Sequence, residues 1–106
     1  MDIRLVGVVG AGQMGNGIAH VFALAGYQVL MTDISEENLA KALATIEKNI
    51  ERQVARGKVL PADKRAALER IKTTLKLADL GQCDLIIEAA TERETVKQAI
   101  FEDLLP

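Results

Sequence analysis

The residues with the clearest chemical meaning form a glycine-rich hexapeptide near the N-terminus, Gly10-Ala11-Gly12-Gln13-Met14-Gly15. The hexapeptide directly follows an apolar run, residues 3–9, and opens a helix-like stretch, residues 16–25. In this context the first glycine permits a tight turn, the second lets a pyrophosphate approach the backbone, and the third lets the helix lie close against the strand. The free N–H groups at the helix N-terminus would then face phosphates. The pattern predicts a dinucleotide site, and the alternative is an ordinary strand-to-helix turn.

An acidic residue, Asp33, ends a second apolar run, residues 28–32. It follows Gly15 at about the spacing expected of the carboxylate that binds an adenosine ribose. We expect this carboxylate to accept hydrogen bonds from both ribose hydroxyls and to repel a 2′-phosphate. The next residue, Ile34, is not an arginine that could bind such a phosphate. Together these residues favour NAD over NADP as cofactor. The alternative is that Asp33 only helps to begin a helix at Ser35.

Length and composition bound the remaining possibilities. A chain of 106 residues has room for one hydrophobic core. The net charge of −2 and an aromatic content of 3% argue against nucleic-acid binding. No apolar run reaches membrane-spanning length, the N-terminus lacks a signal-peptide layout, and no metal-ligand constellation is present. The single cysteine, Cys83, is expected to pack as a small hydrophobe, and we expect a cytoplasmic protein.

Strand-like and helix-like patterns alternate from the start, which predicts an α/β fold with a doubly wound, Rossmann-type parallel sheet. Between the second and third strands the periodicity predicts a long helical hairpin. No repeat or linker marks a boundary, so residues 1–106 are predicted to form one domain. The predicted elements after Asp33 are a helix capped by Ser35 and running to about Arg56, a helix over 61–70, strands at 71–75 and 84–89 (the latter buried), and a last helix from Thr91 or Glu92 to near Pro106.

These features together resemble one known family. The resemblance is carried by the hexapeptide continued by Asn16-Gly17-Ile18-Ala19, the strand ending in Asp33, the hairpin, and Ile87-Glu88-Ala89-Ala90-Thr91-Glu92. In these features the chain is similar to the NAD-binding domain of L-3-hydroxyacyl-CoA dehydrogenases, with bacterial 3-hydroxybutyryl-CoA dehydrogenases as the nearest likeness. The resemblance covers the whole chain. It implies that the glycine loop and Asp33 bind NAD and that Glu92 and Lys97 lie beside the nicotinamide half. Without the resemblance, Glu92 reads as a helix-start carboxylate and Lys97 as a solvated side chain.

The resemblance also gives the hairpin a function, because in this family the hairpin helps to bind coenzyme A. Asn49 and Arg56 match the positions that contact the CoA moiety. The residues give independent support, since Asn49, Arg52 and Arg56 fall at i, i+3 and i+7 with Lys48 adjacent, so phosphates could neutralise three cations there. A solvated helix face is the alternative.

The only histidine, His20, lies about one turn beyond Gly15, between Ala19 and Val21. This position predicts a packing role, because a general base must reach the proton of the substrate. In the family the catalytic histidine, its orienting glutamate and the substrate-polarising serine and asparagine belong to a later segment. We therefore expect no catalytic residue among these 106, and the chain looks like the cofactor half of an enzyme, incomplete on its C-terminal side.

The resemblance implies an NAD-dependent oxidoreductase of fatty acid metabolism that interconverts L-3-hydroxyacyl-CoA, such as 3-hydroxybutyryl-CoA, and 3-oxoacyl-CoA. It also implies a homodimer formed through a helical C-terminal domain. Two alternatives stay open. One is a related dehydrogenase acting on a hydroxy acid without CoA, of the L-gulonate or carnitine type, and the other is a non-catalytic NAD-sensing module.

Overall fold

The computed structural model describes residues 3–89, which form one α/β unit. The last predicted helix, together with Glu92 and Lys97, lies outside these residues. In chain order the elements are β1 (Leu5–Val9), α1 (Gln13–Leu24), β2 (Gln28–Thr32), α2 (Glu36–Ala55), α3 (Pro61–Arg70), β3 (Ile71–Thr74), a 3₁₀ helix (Leu77–Gln82) and β4 (Leu85–Glu88).

The four described strands form a parallel sheet in the order β3-β2-β1-β4. The central strand is β1, where Val8 pairs with Met31 of β2 and Ile87 of β4. The chain first moves outward from β1 to β2 to β3 and then returns to the other side of β1. Because crossovers between parallel strands are right-handed, this reversal places the outward and the returning connections on opposite faces. The predicted doubly wound sheet is confirmed.

One face of the sheet carries all three α-helices and the main hydrophobic core. Val6 and Val8 of β1 are fully buried there with Ala19 and Ala23 of α1. The small alanine side chains let α1 lie close to the sheet. The hairpin formed by α2 and α3 belongs to the same core, and its fully buried members are Ile46, Ile50 and Ala67. The hairpin is therefore anchored in the domain, because its base is continuous with the sheet packing.

The 3₁₀ helix covers the opposite face of β1. A Cβ atom added to Gly7 would lie 2.9 Å from Cys83 Sγ and 3.1 Å from Leu80 Cδ2, so a larger residue at position 7 would force these side chains to shift. The periodicity did not predict the 3₁₀ helix, because six residues are too short to show a helical repeat. Burial raises the pKa of the half-buried Cys83 thiol, and the nearby Asp84 carboxylate adds to the effect. The thiol stays protonated and packs as a small hydrophobe.

Most predicted boundaries are close to the observed ones. The helix α3 has the predicted bounds, and α2 begins after the Ser35 cap and ends at Ala55 with Arg56 as its C-cap. Two predictions were wrong in detail. The first helix begins at Gln13 rather than Asn16, because the glycine loop itself provides its first turn. The strand β4 is half-buried rather than buried, because it lies at the edge of the described sheet. None of the helices within residues 3–89 combines the length and apolarity needed to cross a bilayer.

At the N-terminal edge of the sheet, the Asp84 carboxylate fixes the start of β1. Its Oδ2 accepts hydrogen bonds from the backbone N–H groups of Arg4, at 2.9 Å, and Leu5, at 3.0 Å. In return the N–H group of Asp84 donates to the carbonyl oxygen of Leu5, at 2.8 Å. The N–H groups of Leu5 and then Arg4 hold the pKa of Asp84 below its ordinary value, because they favour the charged carboxylate.

We predict that Asp84→Asn lowers the free energy of unfolding at pH 7, because a neutral amide oxygen accepts these N–H groups less strongly. A lowered folded-state pKa gives stability that is present above the ordinary value of 3.8 and is lost as the pH falls through the lowered value. The difference between the two proteins should therefore shrink below pH 3.8. Urea unfolding across this range measures it. Glu69→Gln, at an exposed acid of α3, is the control, and a difference independent of pH would contradict the assignment.

Candidate functional site

The glycine loop leads from the carboxyl end of β1 into α1 and lies beside the carboxyl end of β2. Gly10 has a φ of +101°, in the left-handed region that favours glycine. This turn points the N–H group of Gly10 at the carbonyl oxygen of Thr32, the last residue of β2, at 2.8 Å. The two strand ends are thus joined by a backbone hydrogen bond, at the edge where open parallel sheets bind ligands.

Gly15 is required because α1 passes directly over this turn. A Cβ atom added to Gly15 would lie 1.8 Å from the carbonyl oxygen of Gly10, far inside any permitted contact. The nearest strand side chain, Val8, would be 3.6 Å away at Cγ1. The sequence predicted close packing of helix against strand. The structure shows that the closest contact of a side chain at position 15 would be with the backbone of Gly10, in the turn, and not with the strand.

Among residues 3–89, no group accepts a hydrogen bond from the first N–H groups of α1. Its N-cap is Gly12, which has no side chain to accept a hydrogen bond, and its first turn has no acidic residue. Gly12, Gln13 and Met14 are all exposed. Because an uncapped helix N-terminus carries unsatisfied N–H groups and a positive partial charge, this end of α1 suits an anion such as a pyrophosphate.

Gly12 itself has no role in packing among the described residues. A Cβ atom at this position would meet nothing within 4 Å, and the φ of −70° is accessible to any residue. The fold therefore does not explain a glycine here, whereas a ligand that approaches the backbone does. The glycine loop fits the pyrophosphate of a dinucleotide on this observation.

The Asp33 carboxylate links the glycine loop to the start of α2. Its Oδ2 accepts a hydrogen bond from the N–H group of Ala11, at 2.9 Å. Its Oδ1 accepts from the N–H group of Ser35, at 3.0 Å, and from Nδ2 of Asn38, at 3.1 Å. Both interpretations of Asp33 thus have a counterpart in the structure, since the carboxylate helps to begin α2 and also faces the loop.

These three donors limit what Asp33 can offer a ligand. A carboxylate has about two acceptor positions on each oxygen. Donors within residues 3–89 use both positions of Oδ1 and leave one position of Oδ2. The sequence predicted that the carboxylate accepts from two ribose hydroxyls, but only one can bind without displacing a protein donor. Sequence reasoning also missed Asn38, although an amide three residues after the Ser35 cap is a recognisable signal.

His20 lies at a contact between α1 and α2. Its Nε2 donates a hydrogen bond to Oε1 of Gln53, at 2.7 Å, and the side chain is half-buried. This agrees with the packing role expected from the sequence. The imidazole is held between two helices rather than presented at the glycine loop.

The hairpin residues with a predicted role in CoA binding lie along the second half of α2. Lys48, Arg52 and Arg56 are exposed and Asn49 is half-buried. Among residues 3–89 none of these three cations has a hydrogen-bond or ion-pair partner for its side chain. Glutamates lie on another flank of α2, where Glu51 pairs with Lys64 of α3. They help to line a groove of about 370 Å³ between the two helices.

Comparison with known proteins identifies relatives over nearly the whole chain. The family model described as 3-hydroxyacyl-CoA dehydrogenase, NAD binding domain, matches residues 5–105. The chain is 53% identical over 102 residues to the 3-hydroxybutyryl-CoA dehydrogenase of Bradyrhizobium diazoefficiens, a match that covers 96% of this chain and 35% of that protein. It is 40% identical over 104 residues to the 3-hydroxyadipyl-CoA dehydrogenase of Escherichia coli, covering 98% of this chain and 22% of the relative.

Solved structures give the same result. The crystal structure of the (S)-3-hydroxybutyryl-CoA dehydrogenase of Ralstonia eutropha superposes with a TM-score of 0.93 at 44% sequence identity. The match covers 97% of this chain and 36% of the other. The chain thus spans about a third of the length of the 3-hydroxybutyryl-CoA dehydrogenases of Bradyrhizobium diazoefficiens and Ralstonia eutropha.

We predict that Gly12→Ala keeps the fold and weakens NAD binding about ten-fold or more, because the added methyl group occupies the space in front of the α1 N-terminus. Gly17→Ala is the matched control. A Cβ atom at Gly17 also meets nothing within 4 Å, but the residue lies inside the helix. This control should gain about 1 kcal/mol of stability from helix propensity and keep its NAD affinity. Calorimetric titration measures the NAD affinity of both variants, and equal affinities would contradict the proposed contact between Gly12 and the pyrophosphate.

Proposed function

This chain belongs to the 3-hydroxyacyl-CoA dehydrogenase family, as its NAD-binding domain, and on that basis we propose the activity of the protein to which the domain contributes. The proposed reaction interconverts an L-3-hydroxyacyl-CoA and the corresponding 3-oxoacyl-CoA, and 3-hydroxybutyryl-CoA is the substrate of choice. One observation supports this proposal most strongly. The N-terminus of α1, which no side chain of residues 3–89 caps, lies beside Asp33, whose carboxylate accepts a hydrogen bond from Ala11 of the glycine loop. The chain that contains this pair is 53% identical to a 3-hydroxybutyryl-CoA dehydrogenase.

NAD, when bound, supplies the hydride acceptor for the 3-hydroxyl carbon. The residues of this chain bind and orient it. We infer that the first N–H groups of α1 bind the pyrophosphate and that the open acceptor position on Asp33 Oδ2 binds a ribose hydroxyl. Negative charge at Asp33 disfavours a 2′-phosphate, which supports NAD over NADP. From the resemblance we also propose that Glu92 and Lys97 lie beside the nicotinamide half.

The cations of α2 support a substrate that carries phosphates. Lys48, Arg52 and Arg56 follow one another at intervals of four residues, so like charges are neighbours on the helix surface. Such pairs destabilise a helix by about 0.2–0.5 kcal/mol each in the absence of an anion. No described acid pairs with them, whereas Glu51 on another flank is paired with Lys64. We propose that this row, with Asn49 beside it, binds the phosphates of coenzyme A.

The proton of the 3-hydroxyl must pass to a general base, and His20 is not that base. Its Nε2 is engaged by Gln53 between two helices. From the resemblance we propose that the base is another histidine, oriented by a glutamate, and not one of the described residues. The same resemblance supports a cytoplasmic homodimer formed through a helical domain, and these two features are part of the proposal.

We expect the chain of 106 residues to bind NAD without turning over L-3-hydroxybutyryl-CoA. Loss of a positioned general base typically removes a factor of about 10²–10⁴ in rate, and loss of substrate positioning adds to this. NAD binding is measured by calorimetry, and NADH formation is followed in the presence of the thioester. His20→Ala should behave like the unmodified chain. Turnover that disappears in His20→Ala would contradict the packing role of this histidine and the proposed location of the base.

A second experiment tests the CoA site. Replacing Arg52 and Arg56 together by Gln should weaken binding of coenzyme A to the chain about ten-fold and reduce the salt dependence of that affinity, with NAD affinity nearly unchanged. Lys72→Gln with Lys76→Gln is the matched control, because both lysines are exposed and the net charge changes equally. If coenzyme A fails to bind, or binds both double variants equally, the cations form a solvated face, which favours a hydroxy acid without CoA.

A further inference from the structure

The orientation of the Asp33 carboxylate depends on three hydrogen-bond donors of two kinds. Ala11 and Ser35 donate from the backbone, so their contributions do not depend on the identity of their side chains. Asn38 donates from its side-chain amide, with Nδ2 3.1 Å from Oδ1. Of these three donors, Asn38 is therefore the one whose contribution depends on which amino acid occupies its position.

The local structure of α2 explains why the Asn38 amide is available for this contact. Asn38 is the third helical residue, and its backbone N–H donates to the Ser35 hydroxyl, at 3.2 Å. In a capping box the side chain at this position returns to the N–H group of the cap residue. Here that N–H group, on Ser35, donates to Asp33 instead. The amide of Asn38 is left to bond with the same carboxylate, from a backbone that the cap holds in place.

The two oxygens of Asp33 consequently have different tasks. Oδ1 accepts from two residues at the start of α2, so it is saturated. Within residues 3–89, Oδ2 accepts from Ala11 of the glycine loop alone, which leaves one of its acceptor positions for a ligand. Without Asn38, an acceptor position on Oδ1 would open and one side-chain restraint on carboxylate rotation would be lost. A group already held in its bound orientation binds a ligand more tightly, because less freedom is lost on binding.

We propose that Asn38 is a positioning residue of the NAD site, which holds the Asp33 carboxylate so that Oδ2 presents its open position to the adenosine ribose. The inference rests on the proposed ribose contact of Asp33. Asn38 acts through Asp33 and need not touch the cofactor.

Two substitutions at position 38 test this role. Asn38→Ala removes the donor and should weaken NAD binding about three- to ten-fold. Asn38→Asp places a second carboxylate against Asp33 and should weaken NAD binding more than Ala does. In the first turn of α2 the new charge interacts favourably with the helix dipole and unfavourably with Asp33, so the thermal unfolding temperature should change little while NAD affinity falls. A merely structural role would move affinity and stability in the same direction, whereas the proposed role separates them.

A double-mutant cycle shows whether Asn38 acts through Asp33. In an Asp33→Ala background there is no carboxylate to orient, so adding Asn38→Ala should change NAD affinity less than about two-fold. Thr45→Ala, at a neutral exposed position of the same helix, is the control that should leave affinity unchanged. Calorimetry gives the affinities, and circular dichroism verifies that each variant is folded.

The outcomes are distinguishable. If the unmodified chain binds NAD and Asn38→Ala binds it equally or more tightly, the positioning role is overturned while the NAD site stands. If Asn38→Ala causes the same loss with and without Asp33, the residue contacts the cofactor directly and does not act through Asp33. If the unmodified chain binds no NAD, the ribose assignment of Asp33 fails, and this inference fails with it.

Discussion

The hydrogen-bonded connection between the glycine loop and the start of α2 is the constraint on which the candidate site depends. Asp33 supplies its centre, since one carboxylate accepts from the loop at Ala11 and from α2 at Ser35 and Asn38. The backbone adds a second bond, from Gly10 to Thr32. These contacts hold the carboxyl ends of β1 and β2 in one arrangement, so that the groups proposed to bind phosphate and ribose keep a fixed separation. A charged acceptor is well suited to this task because N–H donors bind it more strongly than a neutral one.

The helices α1 and α2 both begin at this edge of the sheet, but their N-termini carry different capping residues. The helix α2 has the Ser35 hydroxyl at its cap and two glutamates in its first turn, so its N-terminus is neutralised by protein groups. The helix α1 has glycine at its cap and no acid in its first turn. A cap residue at position 12 would satisfy the α1 N–H groups but would compete with a phosphate. Among residues 3–89 no side chain caps α1, and we propose that a phosphate of the cofactor takes this place.

The helix α2 of the hairpin has a structural role on one face and a proposed role in substrate binding on another. Ile46 and Ile50 of α2 are fully buried against the sheet layer, so the helix cannot shift without disturbing the core. Lys48, Arg52 and Arg56 lie on the exposed surface of the same helix. Because the apolar stripe fixes the rotation of α2 about its axis, the row of cations is also fixed relative to the glycine loop. A rigid helix thus positions charges for a phosphate-bearing substrate better than a loop would.

The sequence by itself determined the fold class, the hairpin and the glycine loop, because these depend on local signals. Apolar periodicity, the Ser35 cap, Pro61 and the glycines each act within a few residues of their position. The 3₁₀ helix escaped such reasoning, since its place depends on Leu80 reaching the space left by Gly7, which is distant in sequence.

Only the tertiary structure decided which donors bind each oxygen of the Asp33 carboxylate, and that His20 contacts Gln53. Spacing along the chain can bring a carboxylate to the right strand end. The direction in which each of its oxygens points is set by three donors from two segments, the glycine loop and the start of α2, and these segments meet only after the chain has folded.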